Sequence, residues 1–297
     1  MLVRRWLDAA GITDPVLRHC YTVCVRELDS ADGGTARWHG LRTAPAAARP
    51  HTAAVLAHGC RADLCVDRGS VEGRRRRFTD FVEATWAAFA AGGSHDPVLH
   101  ATVHTYRTFD IPLSVVEDMF TAMQRDLDFR DFATFEEFRR WCMQMTGGTM
   151  AMAYRVTGAA TEAADELLVR EFSVYTQLTD ALRDLSEDLD DGRLYLPLED
   201  LDRFKVRAED VKAKRWTPAV ADLIAFEAER VTRHLHKAAE VDHGPMNPSW
   251  HVYREHMALV IAAVLAAGQD VLHRPVQPSL GSLLNVWRPF MRAVIPC

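Results

Sequence analysis

Asp180-Ala181-Leu182-Arg183-Asp184-Leu185-Ser186-Glu187-Asp188-Leu189-Asp190-Asp191-Gly192-Arg193-Leu194-Tyr195-Leu196-Pro197 is the stretch on which the reading of this chain turns. Asp180, Asp184 and Asp188 recur at i, i+4 and i+8, which on a helix stacks three carboxylates on one face. Each like-charged pair at that spacing costs about 0.2–0.5 kcal/mol of helix stability, so the pattern calls for a compensating cation or for full solvation. A hard divalent ion such as Mg2+ takes oxygen ligands and bridges carboxylates to substrate phosphates. A solvated acidic face is the plainer alternative.

A second pair, Asp63 and Asp67, has the same i, i+4 spacing near the C-terminal end of a helix predicted over residues 51–67. There the helix macrodipole disfavours each negative charge by about 0.3–1 kcal/mol. Leu64, Cys65 and Val66 surround the pair, and burying an uncompensated carboxylate is costly. The two pairs are explained together if their helices face one another across bound cations. A Mg2+–diphosphate centre is therefore the expectation.

The rest of the chain narrows the class. A net charge of −6 over 297 residues, without any nucleic-acid motif, gives no electrostatic case for DNA or RNA. The basic run at residues 74–77 is flanked by acids and reads as a solvated helix face. The N-terminus has no apolar core long enough for a signal peptide. The longest apolar run, residues 257–267, is too short for a transmembrane segment. Six cysteines without a CxxC pair suit a reducing compartment, so the expectation is cytoplasmic. Helical periodicity covers residues 1–30, 51–67, 71–90, 96–110, 114–127, 134–156, 161–190, 218–241, 248–267 and 279–293, and period-two alternation is almost absent. These spans predict an all-α chain, a single domain over residues 1–297, with facing helices building a site in the bundle core.

At this point the residues carry a resemblance. Gln177-Leu178-Thr179-Asp180, Arg183-Asp184, Asp188 and Gly192-Arg193-Leu194-Tyr195-Leu196-Pro197 look like the second motif of the phytoene/squalene synthase family, the head-to-head type of trans-isoprenyl diphosphate synthase. Asp63 and Asp67 match its first motif, and Arg42-Thr43-Ala44-Pro45 with Arg49 matches an Arg-x-x-Pro-x-x-x-Arg pattern upstream. The resemblance runs over roughly residues 35–275. It implies an isoprenoid-synthase helical bundle with a central active-site cavity, Mg2+ as cofactor, and an allylic prenyl diphosphate as substrate. By it, Asp184 and Asp188 hold Mg2+, Asp180 adds a ligand where the family usually has Asn, and Asp63 and Asp67 work from the opposite wall. Arg61, Arg183, Arg193 and Arg274 become candidates for the diphosphate oxygens, with a structural ion pair as the alternative for each. Tyr195 and Gln177 are hydrogen-bond donors by the same resemblance, or packing residues.

Departures from the family pattern cluster around the expected substrate pocket. Ala36-Arg37 replaces a Ser-Phe pair; Leu56 and Cys60 replace a tyrosine and an arginine, with Arg61 one residue on. Met143, Gln144 and Gly147 stand where relatives have a tyrosine beside a Val-Ala-Gly turn, and Met257 and Ser282 stand for a late tyrosine and lysine. These losses suggest one prenyl donor and a different acceptor. They resemble the squalene-synthase-like prenyltransferases that attach a short prenyl group, such as dimethylallyl, to a carbazole-type aromatic acceptor in natural-product pathways. The alternatives are a head-to-head terpene synthase and a catalytically silent assembly protein. Phe81, Trp86, Phe89, Phe138, Trp141, Met145, Met150 and Met152 are cavity walls or plain core. His100 and His104 share a helix face without the third ligand of a zinc site. The oligomeric state is open, a homodimer included.

Overall fold

The computed structural model describes residues 2–30, 41–42, 44–67, 69–158, 162–244 and 247–294. Among the described residues every regular element is a helix, the all-α class that the missing period-two pattern predicts. In chain order these are α1 (Leu2–Ala9), α2 (Pro15–Ser30), α3 (Arg49–Asp67), α4 (Val71–Ala91), α5 (Pro97–Thr108), α6 (Ser114–Leu127), α7 (Phe135–Cys142), a π turn (Met143–Gly147), α8 (Gly148–Thr157), α9 (Glu162–Arg183), α10 (Leu185–Asp190), α11 (Leu198–Arg203), α12 (Ala208–Lys212), α13 (Pro218–Ala238), α14 (Asn247–Ala267), a short 3-10 turn (Gly268–Leu272) and α15 (Leu280–Val294).

Local chemistry sets the ends. Asp14 accepts from the Leu17 N–H at 2.8 Å ahead of α2, with Pro15 in the first helical position. Asp96 accepts from the Val98 and Leu99 N–H groups before α5, and Thr217 caps α13 in the same way. Thr134 accepts from the Glu137 N–H, while Glu137 Oε2 accepts from the Ala133 N–H at 2.9 Å, a capping box with its return bond shifted by one residue.

The chain divides into two compact units. The first comprises Met1–Leu127, Gly148–Ala160 and His243–Ser249. Its core packs Trp6, Tyr21 and Leu28 against Ala53, Ala54 and Ala57 of α3 and Val98 and Ala101 of α5. Alanines on α3 let its neighbours approach closely, and small residues cost no side-chain entropy on burial. The Tyr21 hydroxyl meets His51 Nδ1 at 3.0 Å, His104 Nδ1 at 2.8 Å and Thr105 Oγ1 at 2.9 Å. His58 pairs with Thr85 Oγ1 at 3.2 Å and lies beside Phe81 and Phe120. Phe78, Phe81, Trp86 and Phe120 pack edge to face around them, as ordinary core.

The second unit comprises Asp128–Gly147, Thr161–Asp242 and Trp250–Cys297. Its axis is the pair α9 and α13, joined by His234 Nδ1 against Glu171 Oε2 at 2.6 Å. Phe132, Phe138, Trp141 and Tyr195 form an aromatic cluster, with Trp141 and Tyr195 centroids 5.1 Å apart.

Two sequence expectations change here. The helix predicted over residues 134–156 is interrupted by the π turn, and α3 begins at Arg49, two residues before the predicted start. The adjacent glycines at that interruption have separate packing reasons. A Cβ on Gly147 would lie 2.6 Å from Val169 Cγ1 of α9, and one on Gly148 would overlap Val115 Cγ1 of α6. Gly148→Ala should therefore cost about 1–3 kcal/mol through overpacking, read as a shift in the denaturant midpoint at unchanged m-value.

Burial lowers the His51 and His58 imidazoles to about 4, with His104 reinforcing the effect at His51 and Arg61 at His58. The unfolded chain then binds more protons than the native one between about pH 4 and the ordinary histidine value of 6.5. Stability is full above that window and is lost as pH falls through it, by about 3 kcal/mol per fully shifted histidine. The melting temperature should fall from pH 6.5 towards 4, and His58→Gln should flatten that slope; an unchanged slope would leave burial of His58 without energetic consequence.

Candidate active site

The acidic stretch does not form one straight helix. α9 ends at Arg183, Asp184 has φ −101° and ψ 12°, and α10 starts at Leu185. The expected single-face stack of Asp180, Asp184 and Asp188 is thus corrected to a helix broken at its middle carboxylate. The cause is visible in the backbone: the Val276 N–H takes the Arg183 carbonyl at 3.0 Å, and the Glu187 N–H turns to Asp184 O at 2.9 Å. The side chains reinforce it. Arg183 Nη1 binds Asp180 Oδ1 at 2.8 Å, its Nε binds Asp184 Oδ1 at 2.9 Å, and its Nη2 also binds Asp184. One guanidinium lies between two carboxylates, so the cation that the like-charge spacing demanded is in part supplied by the chain itself.

Asp180 keeps 37% of its side chain exposed. Desolvation of the remainder, opposed by Arg183 and reinforced by Asp184, pushes its carboxyl up to about 6. Tyr253 and His256 of α14 join this neighbourhood. The Tyr253 hydroxyl is 3.3 Å from Thr176 Oγ1, and burial followed by the Asp180 charge makes it harder to ionise. Burial and then Arg183 lower the His256 imidazole. Tyr253 did not stand out in the sequence; it lies one helical turn before Met257, which stands for a late family tyrosine.

The other second-unit candidates have defined places. Arg193 is 3.0 Å from Asp191 and 3.7 Å from Asp188, on a segment that leaves α10 through Gly192 at φ 76°. Gln177 donates to Thr146 Oγ1 at 2.5 Å, tying α9 to the π turn that carries Met143, Gln144 and buried Gly147. Tyr195 is buried in the aromatic cluster, the packing role. Arg274 is 70% exposed and pairs with Asp270 at 2.7 Å.

In the first unit, Asp63 is half-buried and Asp67 exposed at the end of α3, and neither lacks a partner. Arg61 is gripped by Glu27 at 2.6 Å and Asp96 at 2.7 Å, a clamp from α3 to α2 and to the cap of α5. Of its two readings this is the structural ion pair. Leu56 lines a shallow apolar recess of about 20 Å³ with Thr52, Val55, Thr149, Met152, Ala153 and Val156, and Cys60 packs on the unit's core. Arg37, together with Ala36 and Thr43, lies outside the described residues.

Sequence reasoning missed a buried latch. Arg230 of α13 binds Asp200 of α11 through Nη1 at 2.7 Å and Nη2 at 3.0 Å, and Glu227 at 2.9 Å. Its guanidinium also lies 3.9 Å from the Phe135 ring centroid of α7. α11 follows directly on the Arg193–Pro197 segment, so Arg230 fixes where that segment ends. Burial pushes Glu227 up to about 8, against the pull of Arg230. No spacing rule pairs residues 200 and 230, which explains the miss. Arg230→Met should cost about 3–5 kcal/mol by leaving a buried carboxylate uncompensated, and R230M/D200N should recover most of it in a denaturant titration.

The donor set fits a hard divalent ion. Among the described residues no three Asp, Glu, His or Cys side chains cage an ion unaided. Mg2+, however, is commonly held by one or two carboxylates with substrate phosphates and water completing the shell, and Asp184 and Asp188 are carboxylates one turn apart.

An all-helical chain with this arrangement of aspartates and arginines has the isoprenoid-synthase fold. Squalene synthase HpnC from Alicyclobacillus acidocaldarius superposes with a TM-score of 0.77 over 88% of this chain and 98% of that one, at 24% identity. The sequence profile of the squalene/phytoene synthase family matches residues 33–282, and the chain belongs to that family. It is 31% identical to a 15-cis-phytoene synthase of Synechocystis over 61% of its own length and 56% of the relative's. With the phytoene synthase of Arthrospira platensis it shares 27% identity over 72% of the chain and 74% of the relative. The match to the bifunctional protein CrtB/UppS of Streptomyces coelicolor is 27% identical over 69% of the chain, and spans 36% of that protein. The chain thus spans roughly a third to a half of the first of these curated relatives.

Proposed function

We propose that the chain is a prenyltransferase joining two allylic prenyl diphosphates head to head, as phytoene- and squalene-forming enzymes do, within one catalytic domain in the cytoplasm. The observation that carries this reading is the Asp180–Arg183–Asp184 cluster beside Tyr253, inside a chain of this family. The relatives favour this alternative over prenylation of a carbazole-type aromatic, which the departures from the family pattern suggested. One of those departures weighs less beside Tyr253, which supplies a hydroxyl one turn from Met257.

In this reaction each allylic C–O bond breaks with its electrons leaving on diphosphate, the new C–C bond joins the two prenyl units, and two protons are lost, one for each positive charge left behind. Mg2+ held by Asp184 and Asp188 would neutralise a departing diphosphate, and Asp63 and Asp67 are the carboxylate pair of the first unit that would hold the same kind of ion. Arg193, and Arg183 once drawn from its carboxylates, bind diphosphate oxygens bidentately. The Tyr253 hydroxyl would donate beside Asp180. Apolar walls keep water from the allylic cation.

The test is a product assay with Mg2+, supplying dimethylallyl, geranyl, farnesyl and geranylgeranyl diphosphates separately, with and without a carbazole. A C30 or C40 product formed without the aromatic is expected, with Asp184→Ala and Asp63→Ala losing it at unchanged helicity. Mass gain on the carbazole would establish the aromatic acceptor instead. No diphosphate release from any donor would point to the silent assembly protein, against the four retained metal-type carboxylates.

A further inference from the structure

Two polar residues of α14 neighbour Arg183, and what they meet on α9 orders them along the helix. Tyr253 stacks on Phe172 with ring centroids 5.5 Å apart, and its hydroxyl lies 3.3 Å from Thr176 Oγ1. Trp250, three residues earlier, packs edge to face on Tyr175 at 5.7 Å. Thr176, Asp180 and Arg183 recur at i, i+4 and i+7 on α9, and Tyr253 and His256 at i and i+3 on α14, so each set shares one helix face. His256 feels the Arg183 charge. After α14 the chain returns to the same arginine, where the Val276 N–H takes its carbonyl. Tyr253 and His256 are both half-buried.

The other contact of His256 comes from α15. The Trp287 indole N–H donates to His256 Nδ1 at 3.4 Å, with ring centroids 6.1 Å apart and the rings inclined at 70°. An indole nitrogen only donates, so Nδ1 is the accepting nitrogen. In a neutral imidazole the other nitrogen then carries the proton. Burial and then the Arg183 charge keep this ring neutral.

That assignment has a chemical consequence. A guanidinium has five N–H donors and no acceptor, so it offers nothing to an imidazole N–H. Among the described residues Nε2 meets no protein acceptor. Two neighbouring donors, one charged and one neutral, share a demand for an anion with several oxygens, and a diphosphate answers both. A neutral donor also adds no repulsion beside Arg183, as an imidazolium would.

We propose that His256 is a further diphosphate-binding residue of this site, donating through Nε2–H, and that Trp287 is its positioning residue, holding Nδ1. The inference rests on the prenyl diphosphate reading above, whatever product is formed. It also excludes His256 as the base, since Nε2 is already protonated and Nδ1 is taken.

Calorimetric titration of the full chain with inorganic diphosphate and Mg2+, beside nitrogen-15 spectra of its histidines, tests this. The His256 resonances are those absent from H256Q, and they should report a neutral ring with its proton on Nε2. His256→Phe should weaken diphosphate binding about tenfold. H256Q, which keeps an N–H donor at the end of its side chain, should stay within about twofold of wild type. Trp287→Phe keeps the aromatic packing; it should weaken binding about threefold and spread the proton over both nitrogens, a spectral change that a packing role would not produce. Circular dichroism confirms that each variant is folded. A ring protonated on Nδ1, H256F binding as tightly as wild type, or H256Q binding as weakly as H256F would overturn the proposal. So would absence of diphosphate binding by the wild-type chain. Diphosphate bound through His256 in a chain that forms no C30 or C40 product would instead overturn head-to-head joining and leave this inference standing.

Discussion

The candidate site depends on one guanidinium held between two carboxylates. Arg183 reaches Asp180 on one side and both oxygens of Asp184 on the other, while its own carbonyl is taken by the Val276 N–H. The side-chain contacts cancel much of the repulsion built into the Asp-x-x-x-Asp spacing. The backbone contact breaks the helix, turning Asp188 and the Gly192–Pro197 segment onto their own course. A continuous helix would have kept the three acids in line and left α10 without the short connection that brings Arg193 near Asp188. Partial burial then holds Asp180 near the top of the carboxylate range, beside a tyrosine and a histidine that would rather be neutral.

Most of the fold was readable because helices announce themselves locally. Asp96 with Pro97, Thr134 with Glu137 and Thr217 with Pro218 mark starts by side-chain bonds made within three residues, and apolar periodicity marks what lies between. The break at Asp184 was not readable, since its cause is an N–H nearly a hundred residues away in sequence. The same holds for the site. Aspartates at fixed spacing could be picked out, but the clamp on Arg61 comes from Glu27 and Asp96, and the Arg230 latch joins three helices. Both are contacts at long sequence separation between ordinary charged residues. Tyr253 was hidden for another reason: position-by-position comparison looked for its hydroxyl one turn later.

That last point governs how the departures from the family pattern are weighed. A lost tyrosine counts against a reaction only if no other hydroxyl takes its place, and a helix offers the same face again every three or four residues.

The π turn at Met143–Gly147 has a bearing on descent. Such a turn packs one more residue into a helical revolution than an α turn does, so it absorbs an inserted residue without disturbing the helix on either side. Against any relative whose helix is regular here, numbering after Gly147 runs one residue out of step. Homology judged column by column will then see substitution where an insertion took place, and the divergence of this chain around its glycine pair will be overstated.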